Sequence, residues 1–331
     1  ACSGNINRLG SVTEGTTASD YHKAEQERQF SIHTSLLHAE WLESRFNIID
    51  TPGYLDFIAE SRAALKVADL ALIVVHATHG IEIGTSKVWD YADEFGLAKA
   101  VVVNGIDAEN AQYQPILKEL EATFGKRFFP VNIPTNPGPG FNEVLDVIRK
   151  SKLTYKTDGS GKYDETKASG EEAEQVEQLH TELIELVAES DDTLLEKFFD
   201  EGITEEELRG GLHKAFQSQI FIPVFFTSSE TNVGVARLMD FISKYASSPD
   251  DHKETIAKNG DGEEVTVSLD DNEAAAFVFK TINEPHIGEL SFVKVMAGTL
   301  KAGEDVVNAN TDESQRLGQM FILNGKNRDK V

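Results

Sequence analysis

LALIVVHA, residues 70–77, is the longest apolar run in the chain. It is rich in β-branched residues and reads as a strand buried on both faces, as in a parallel sheet. FNIID at 46–50 and AVVVN at 100–104 read alike. Helical patterns fit between these runs at 55–67 and 85–95, and the β-α-β rhythm predicts a doubly wound α/β domain. A later apolar run, FIPVFFT at 221–227, is followed by a helical stretch at 233–245 and can complete the same sheet.

The span between Asp107 and Ile220 is too long for a loop within a compact domain. Val176, Leu179, Leu183, Leu186 and Val187 recur in it at helical spacing, with acids between them. Thr204 and Glu207 have the spacing of a capping box, with Ile203 and Leu208 as its hydrophobic staple. An acidic, mainly helical insert is therefore expected at 108–220. Residues 158–210 carry 18 acidic against 4 basic side chains, a charge run that reads as a solvated face. Polar residues at 247–262 read as a linker. Beyond it, short strand patterns at 265–269, 275–282, 290–296, 305–309 and 317–323 have no helix between them. Turn signals at 283–285, 297–300 and Gly303 separate them, which predicts a small antiparallel barrel over 263–331.

The formal net charge of −25 argues against a general nucleic-acid binder, and no DNA partner is expected. The charge is uneven, however. Residues 274–331 hold 7 acids and 7 bases, so a locally neutral surface could meet RNA. The single cysteine, Cys2, cannot form an intrachain disulfide and favours a reducing compartment, so a cytoplasmic location is expected. No apolar run approaches the roughly 20 residues of a membrane span, so no membrane partner is expected. The polar first ten residues do not read as a signal peptide. The lack of an initial Met suggests processing or a cut.

Three segments carry candidate chemistry. Asp50-Thr51-Pro52-Gly53 ends the first apolar strand, at the edge where open α/β sheets bind ligands. An Asp there can hold Mg²⁺ through water, and a following Gly can bring its N–H against a terminal phosphate. A plain strand-to-helix turn would look the same. Asn104-Gly105-Ile106-Asp107 ends the third strand. The Asp107 carboxylate offers two acceptors, matching the two donors on a guanine edge, and Asn104 could tie neighbouring loops together. An ordinary Asn-Gly turn is the plainer reading. Thr227-Ser228-Ser229 ends the last strand and could place a backbone N–H near a base. Ser31 could offer a hydroxyl to Mg²⁺. The order of these segments is more informative than any one of them. A hydroxyl-bearing segment, Asp-x-x-Gly, Asn-x-x-Asp and Ser-Ser follow one another, and the last three each end a strand. The phosphate cradle G-x-x-x-x-G-K-[ST] does not occur. Neither a zinc-ligand cluster nor a G-x-S-x-G elbow is present.

With these strings in place, the chain resembles elongation factor G, and more closely the elongation-factor-G-like paralogues of bacteria. The likeness runs through GSVTEG at 10–15, TASDY at 17–21, EQER at 25–28, NIIDTPG at 47–53, VVVN at 101–104, FVFKT at 277–281 and AGTLK at 297–301. It implies a P-loop-GTPase-type doubly wound sheet, N-terminally truncated, formed by 1–107 and 221–246. An α-rich insert and a second-domain β-barrel complete the fold. The first strand, P-loop and first helix are expected before Ala1, and the family's later domains after Val331.

The resemblance implies that Ser31 stands at a Mg²⁺-binding position of switch I, and Asp50 at the position holding Mg²⁺ through water. It puts Gly53 at the γ-phosphate, Asn104 and Asp107 on guanine, and Ser228 with Ser229 in the last base-contacting loop. GTP/GDP and Mg²⁺ are the ligands expected of the longer protein, and little nucleotide affinity is expected of a chain without a P-loop. The ribosome, through rRNA and ribosomal proteins, is the implied partner. Three departures stand out. Tyr54 replaces the family's water-orienting His and puts hydrolysis in doubt, since a phenol is not an equivalent proton partner. Gly105 replaces a Lys whose stem covers the base. Gln29-Phe30-Ser31 replaces Gly-Ile-Thr in switch I. The alternative is a non-catalytic ribosome-associated interaction protein with a degenerate G domain.

Overall fold

The computed structural model describes residues 2–6, 8–200, 202–259, 261–284 and 288–331. Helix α1 (Lys23–Arg28) precedes a hairpin of β1 (Ser35–Trp41) and β2 (Ser44–Asp50), and a 3-10 turn leads into α2 (Ile58–Leu65). Strands and helices then alternate as β3 (Leu70–His76), α3 (Ile83–Glu94), β4 (Ala98–Asn104), α4 (Tyr113–Phe124) and β5 (Phe128–Pro130). Four strands follow, β6 (Asn132–Pro134), β7 (Glu143–Asp146), β8 (Ser151–Tyr155) and β9 (Tyr163–Lys167). Helices α5 (Glu171–Ala188), α6 (Asp192–Asp200) and α7 (Glu205–Gln217) lead to β10 (Ile222–Thr227) and α8 (Val235–Tyr245). The rest is strand apart from one 3-10 turn: β11 (Glu254–Lys258), β12 (Glu264–Ser268), β13 (Ala275–Glu284), β14 (Gly288–Ala297), β15 (Asp305–Asn308), β16 (Glu313–Arg316), β17 (Phe321–Asn324) and β18 (Asn327–Lys330). No described helix is long and apolar enough to cross a membrane.

The chain forms two compact units. One comprises Ala1–Gly10, Ala39–Phe46 and Leu70–Ser247; the other Ser11–His38, Asn47–Asp69 and Ser248–Val331. The β1–β2 hairpin straddles the division. Its two-residue turn places Leu42 and Glu43 at positive φ, as a tight hairpin turn with the strands' own twist demands.

In the first unit, β3, β4, β10 and β5 form a parallel sheet in that order. Ile73, Val75, Val101, Val103, Val224 and Phe226 share one core with residues of α3 and α4. Ala100, Val102 and Phe225 share the other with residues of α5, α7 and α8. Each fully buried Phe of this set contributes roughly 1.5–3 kcal/mol of transfer free energy. Helices on both faces make the sheet doubly wound, as the β-α-β rhythm predicts. Two details differ. The run at 46–50 is not part of this sheet but lies in β2, paired with β1. Strand β3 is buried on one face only, with Leu72 40% and Val74 62% exposed on the other.

The 108–220 region also differs from a mainly helical insert. Helix α5 is present where the spacing predicts it, Thr204 caps α7 in the expected box, and α6 lies between them where no pattern is read. Ahead of them, β6, β7, β8 and β9 build a four-stranded antiparallel sheet. Helix α8 is joined to this sheet by buried charges. Arg237 pairs with Asp146 of β7 and with Asp240 one turn along α8. Arg149 also reaches Asp240, whose other oxygen accepts from the Trp41 indole over 2.8 Å. Arg237, Asp146 and Asp240 thus satisfy one another out of water, and the half-exposed Arg149 joins them from the edge.

In the second unit, β11–β12, β13–β14, β15–β16 and β17–β18 are antiparallel ladders. The strands extend into the stretch read as a linker, where β11 lies, and β16 occupies 313–316 where no strand is expected. The turn signal at 283–285 falls partly outside the described residues.

Candidate functional site

The segments named from sequence fall in both units. In the first unit, β4 and β10 run side by side with Asn104 opposite Thr227, so both end at the same edge of the sheet. The Asn104 side chain joins the two turns that follow. Its Oδ1 accepts from the Ser229 backbone N–H over 2.8 Å and from the Thr227 hydroxyl over 3.2 Å. Its Nδ2 donates to Ser229 Oγ at 2.9 Å. Ile106 is fully buried, and its N–H donates to the Thr227 carbonyl over 3.2 Å.

These contacts, with the Ala108 N–H donating to the Gly105 carbonyl over 3.0 Å, fix the backbone on either side of Asp107. Its carboxylate accepts no hydrogen bond from any described residue, although the side chain is only half-exposed. Ser228 is fully buried, and its hydroxyl accepts from Thr231 N–H at 3.2 Å, closing its own turn. Ser229, not Ser228, is therefore the residue that Asn104 presents at the edge.

Gly105 has φ +81°, a region L side chains rarely adopt. A Cβ there would stand 2.8 Å from His76 Nε2. His76 ends β3 opposite Asn104, and its ring stacks on His79 with centroids 4.5 Å apart. An imidazole thus lies beside the position where the family carries a lysine stem. Sequence reading did not single out His76. It also passed over Asn132, whose amide accepts from Phe226 N–H (2.8 Å) and donates to Phe226 C=O (3.0 Å), bracing the end of β10.

In the second unit, Asp50 ends β2 and sits beside Ser19, Asp20 and Thr51. Burial holds its carboxyl above the usual carboxylate range. Hydrogen bonds from Ser19 and the Thr51 amide oppose this, and the charges of Asp20 and Glu25 add to it. The Ser31 hydroxyl donates to Asp20 over 2.7 Å. Ser31 and Asp20 are thus hydrogen-bonded hard oxygen donors, and Asp20 is one of the charges that act on Asp50. That donor chemistry suits Mg²⁺, which typically takes one or two carboxylates and completes its shell with water and phosphate oxygens. Among the described residues no group of three or more His, Cys, Asp or Glu could hold a metal unaided.

After Asp50, the buried Ser61 hydroxyl holds the Pro52 carbonyl at 3.0 Å. Gly53 is exposed, and a Cβ there would meet no protein atom within 4 Å, so packing does not demand glycine. Tyr54 is 57% exposed and packs on Phe30 with ring centroids 4.6 Å apart. Two of the three departures from the family pattern are therefore in contact.

A residue missed from sequence organises this region. Glu25 is fully buried. Its carboxylate accepts from the amides of His22 (3.2 Å), Ile32 (3.0 Å) and His33 (2.9 Å). The signal was the spacing from His22 at the start of α1 to Glu25, which is that of a capping box.

A family model described as the Elongation factor Tu GTP binding domain matches residues 1–248. One described as Elongation factor G domain 2 matches residues 273–331. A crystal structure of a protein from Thermus thermophilus is similar to 99% of this chain, with a TM-score of 0.85 and 29% sequence identity. The chain spans 46% of that protein's length. Since the GTP-binding model covers well over half of the residues, the chain belongs to the elongation factor Tu GTP-binding domain family, followed by a domain of the elongation factor G domain 2 type.

Proposed function

We propose that this chain is the nucleotide-responsive part of an elongation-factor-G-like translation factor, which binds GTP and GDP and acts as a conformational switch on the ribosome in the cytoplasm. The observation that carries this reading is the joining of the β4 and β10 turns by Asn104, with the Asp107 carboxylate left without a partner among the described residues. An unpartnered carboxylate on a rigid turn suits the two donors of a guanine edge, and the Ser229 turn would border the same base. Asp50 and Ser31 would hold Mg²⁺, with Asp20 as their neighbour, and Mg²⁺ would neutralise charge on the bound phosphates. Gly53 would bring its N–H to the terminal phosphate. The phosphate cradle is not in these residues, so nucleotide binding is proposed for the complete reading frame that carries this chain. Calorimetric titration of that protein with GTP, GDP and ATP tests the reading. Micromolar or tighter guanine nucleotide binding with no ATP binding supports it, and equal or absent binding of all three refutes it.

The contact of Tyr54 with Phe30 favours a second reading for the chemistry. A phenol held against an aromatic ring is a poor partner for orienting water, so the protein would bind nucleotide and ribosome without efficient turnover. Multiple-turnover GTP hydrolysis with ribosomes present would rule out this non-catalytic alternative.

A further inference from the structure

Three successive backbone amides follow Ser31, and all three end on carboxylates. Those of Ile32 and His33 donate to Glu25, and that of Thr34 to Glu60 Oε2 over 2.7 Å. Glu60 lies on α2, downstream of Asp50. The same Glu60 oxygen takes the ammonium of Lys280 from β13. Lys280 also donates to the Thr34 carbonyl at 3.3 Å, and its side chain is only 8% exposed. One lysine of the second-domain hairpin thus grips both segments that carry Ser31 and Asp50.

The grip is repeated nearby. Lys294 of β14 donates to Asp69 at 2.7 Å and to the Val67 carbonyl at 2.8 Å. At the turn between β17 and β18, the Gly325 N–H donates to the Leu36 carbonyl over 2.8 Å. A Cβ on Gly325 would collide with the Ala18 carbonyl oxygen, so only glycine permits that approach. An ion pair with a buried lysine is weak evidence for stability, because desolvation offsets much of the attraction.

We propose that Lys280 and Glu60 are positioning residues that couple the β13–β14 hairpin to the Ser31 and Asp50 segments, so that these segments and the hairpin move as one. The coupling runs from Lys280 through Glu60 to the Thr34 amide. A shift of the Ser31 segment on nucleotide exchange would then be transmitted to β13, and a partner pressing on the hairpin would bias the Ser31 segment. The consequence for nucleotide exchange rests on the function proposed above; the coupling itself does not.

Amide hydrogen exchange on the 331-residue chain without nucleotide tests it, using Lys280→Met, Glu60→Gln and the double variant. Losing a charge-assisted hydrogen bond should speed Thr34 exchange by about tenfold in each single variant. The double variant should be no faster than Glu60→Gln, and the amides of β4 should not change. An unchanged Thr34 rate in the single variants, or effects that add in the double, overturns the relay. Should Lys280→Met fail to fold, Lys280→Gln serves the same comparison. In the complete reading frame, GTP should slow Thr34 exchange in the wild type and not in Glu60→Gln. Absence of any nucleotide effect in the wild type counts against the proposed function, while the nucleotide-free rates still judge the relay.

Discussion

The backbone N–H of Ser229 donates to Asn104 Oδ1 over 2.8 Å, and the Asn104 amide returns a bond to Ser229 Oγ over 2.9 Å. This reciprocal pair holds the turn after β10 against the end of β4. Replacing Asn104 with Ala removes both bonds and the one from Thr227. The Ser229 turn should loosen, and guanine nucleotide affinity should fall by about 1–3 kcal/mol in the complete reading frame. Fluorescent-GDP titration with amide exchange at Ser229 checks both effects together.

Restoring the family's lysine at Gly105 should not restore affinity. The backbone there is left-handed, which costs a side chain roughly 1–2 kcal/mol. The new Cβ would also meet His76 Nε2 at 2.8 Å. Gly105→Lys should therefore lower the melting temperature, and His76→Ala in the same chain should recover part of the loss. Thermal unfolding of the single and double variants measures this, and full additivity of the two effects would contradict it.

Removing Arg237 should destabilise the first unit strongly. Asp146 and Asp240 would be left buried without their main partner, and breaking such a pair costs about 3–5 kcal/mol. Urea unfolding of Arg237→Met should show a loss of that size, whereas Lys150→Met, at an exposed ion pair, should lose less than about 1 kcal/mol.

How legible these features were in the sequence follows from how far each interaction reaches. β3, β4, β10 and the helices between them announce themselves through local periodicity, because one buried face or a buried strand repeats over several residues. β6 and β7 are three and four residues long, too short for a period to register, and β9 reads YDETK, with nothing apolar after its Tyr. Asn104, Asp107 and Ser229 were legible because their order at strand ends is itself a pattern. Glu25, Glu60, Asn132 and His76 were not. The partners of Glu60 and Asn132 lie far along the chain, those of Glu25 and His76 lie close by, and apart from the capping-box spacing of Glu25 a polar residue carries no local mark of being buried. Ser228 lies in the turn after β10, and only the structure shows that its hydroxyl is spent on Thr231.

Acid should loosen the Ser31 segment through Glu60. Burial raises the Glu60 pKa, but the Lys280 hydrogen bond, with bonds from Thr34 and the Lys280 charge, more than offsets it and holds the group below 4.5. A depressed carboxylate contributes stability above its unfolded pKa of 4.5, and this is lost as pH falls through the folded value. Thr34 exchange, corrected for the intrinsic pH dependence of amide exchange, should therefore accelerate as pH falls below 4.5. Glu60→Gln should abolish that component, and an identical pH profile in the variant would contradict the assignment.

The central claim is that Asp107 reads guanine, and exchanging the donor pattern on both partners tests it most directly. Guanine presents two donors to a carboxylate, whereas xanthine presents one donor and one carbonyl, which an asparagine amide matches. Calorimetric titration of GDP and xanthosine diphosphate should be run on the wild type and on Asp107→Asn, each in the complete reading frame. The account predicts that the wild type prefers GDP and that Asp107→Asn prefers xanthosine diphosphate, each by about tenfold or more, as expected for a bidentate contact worth roughly 1–3 kcal/mol. An unchanged GDP preference in Asp107→Asn would contradict it.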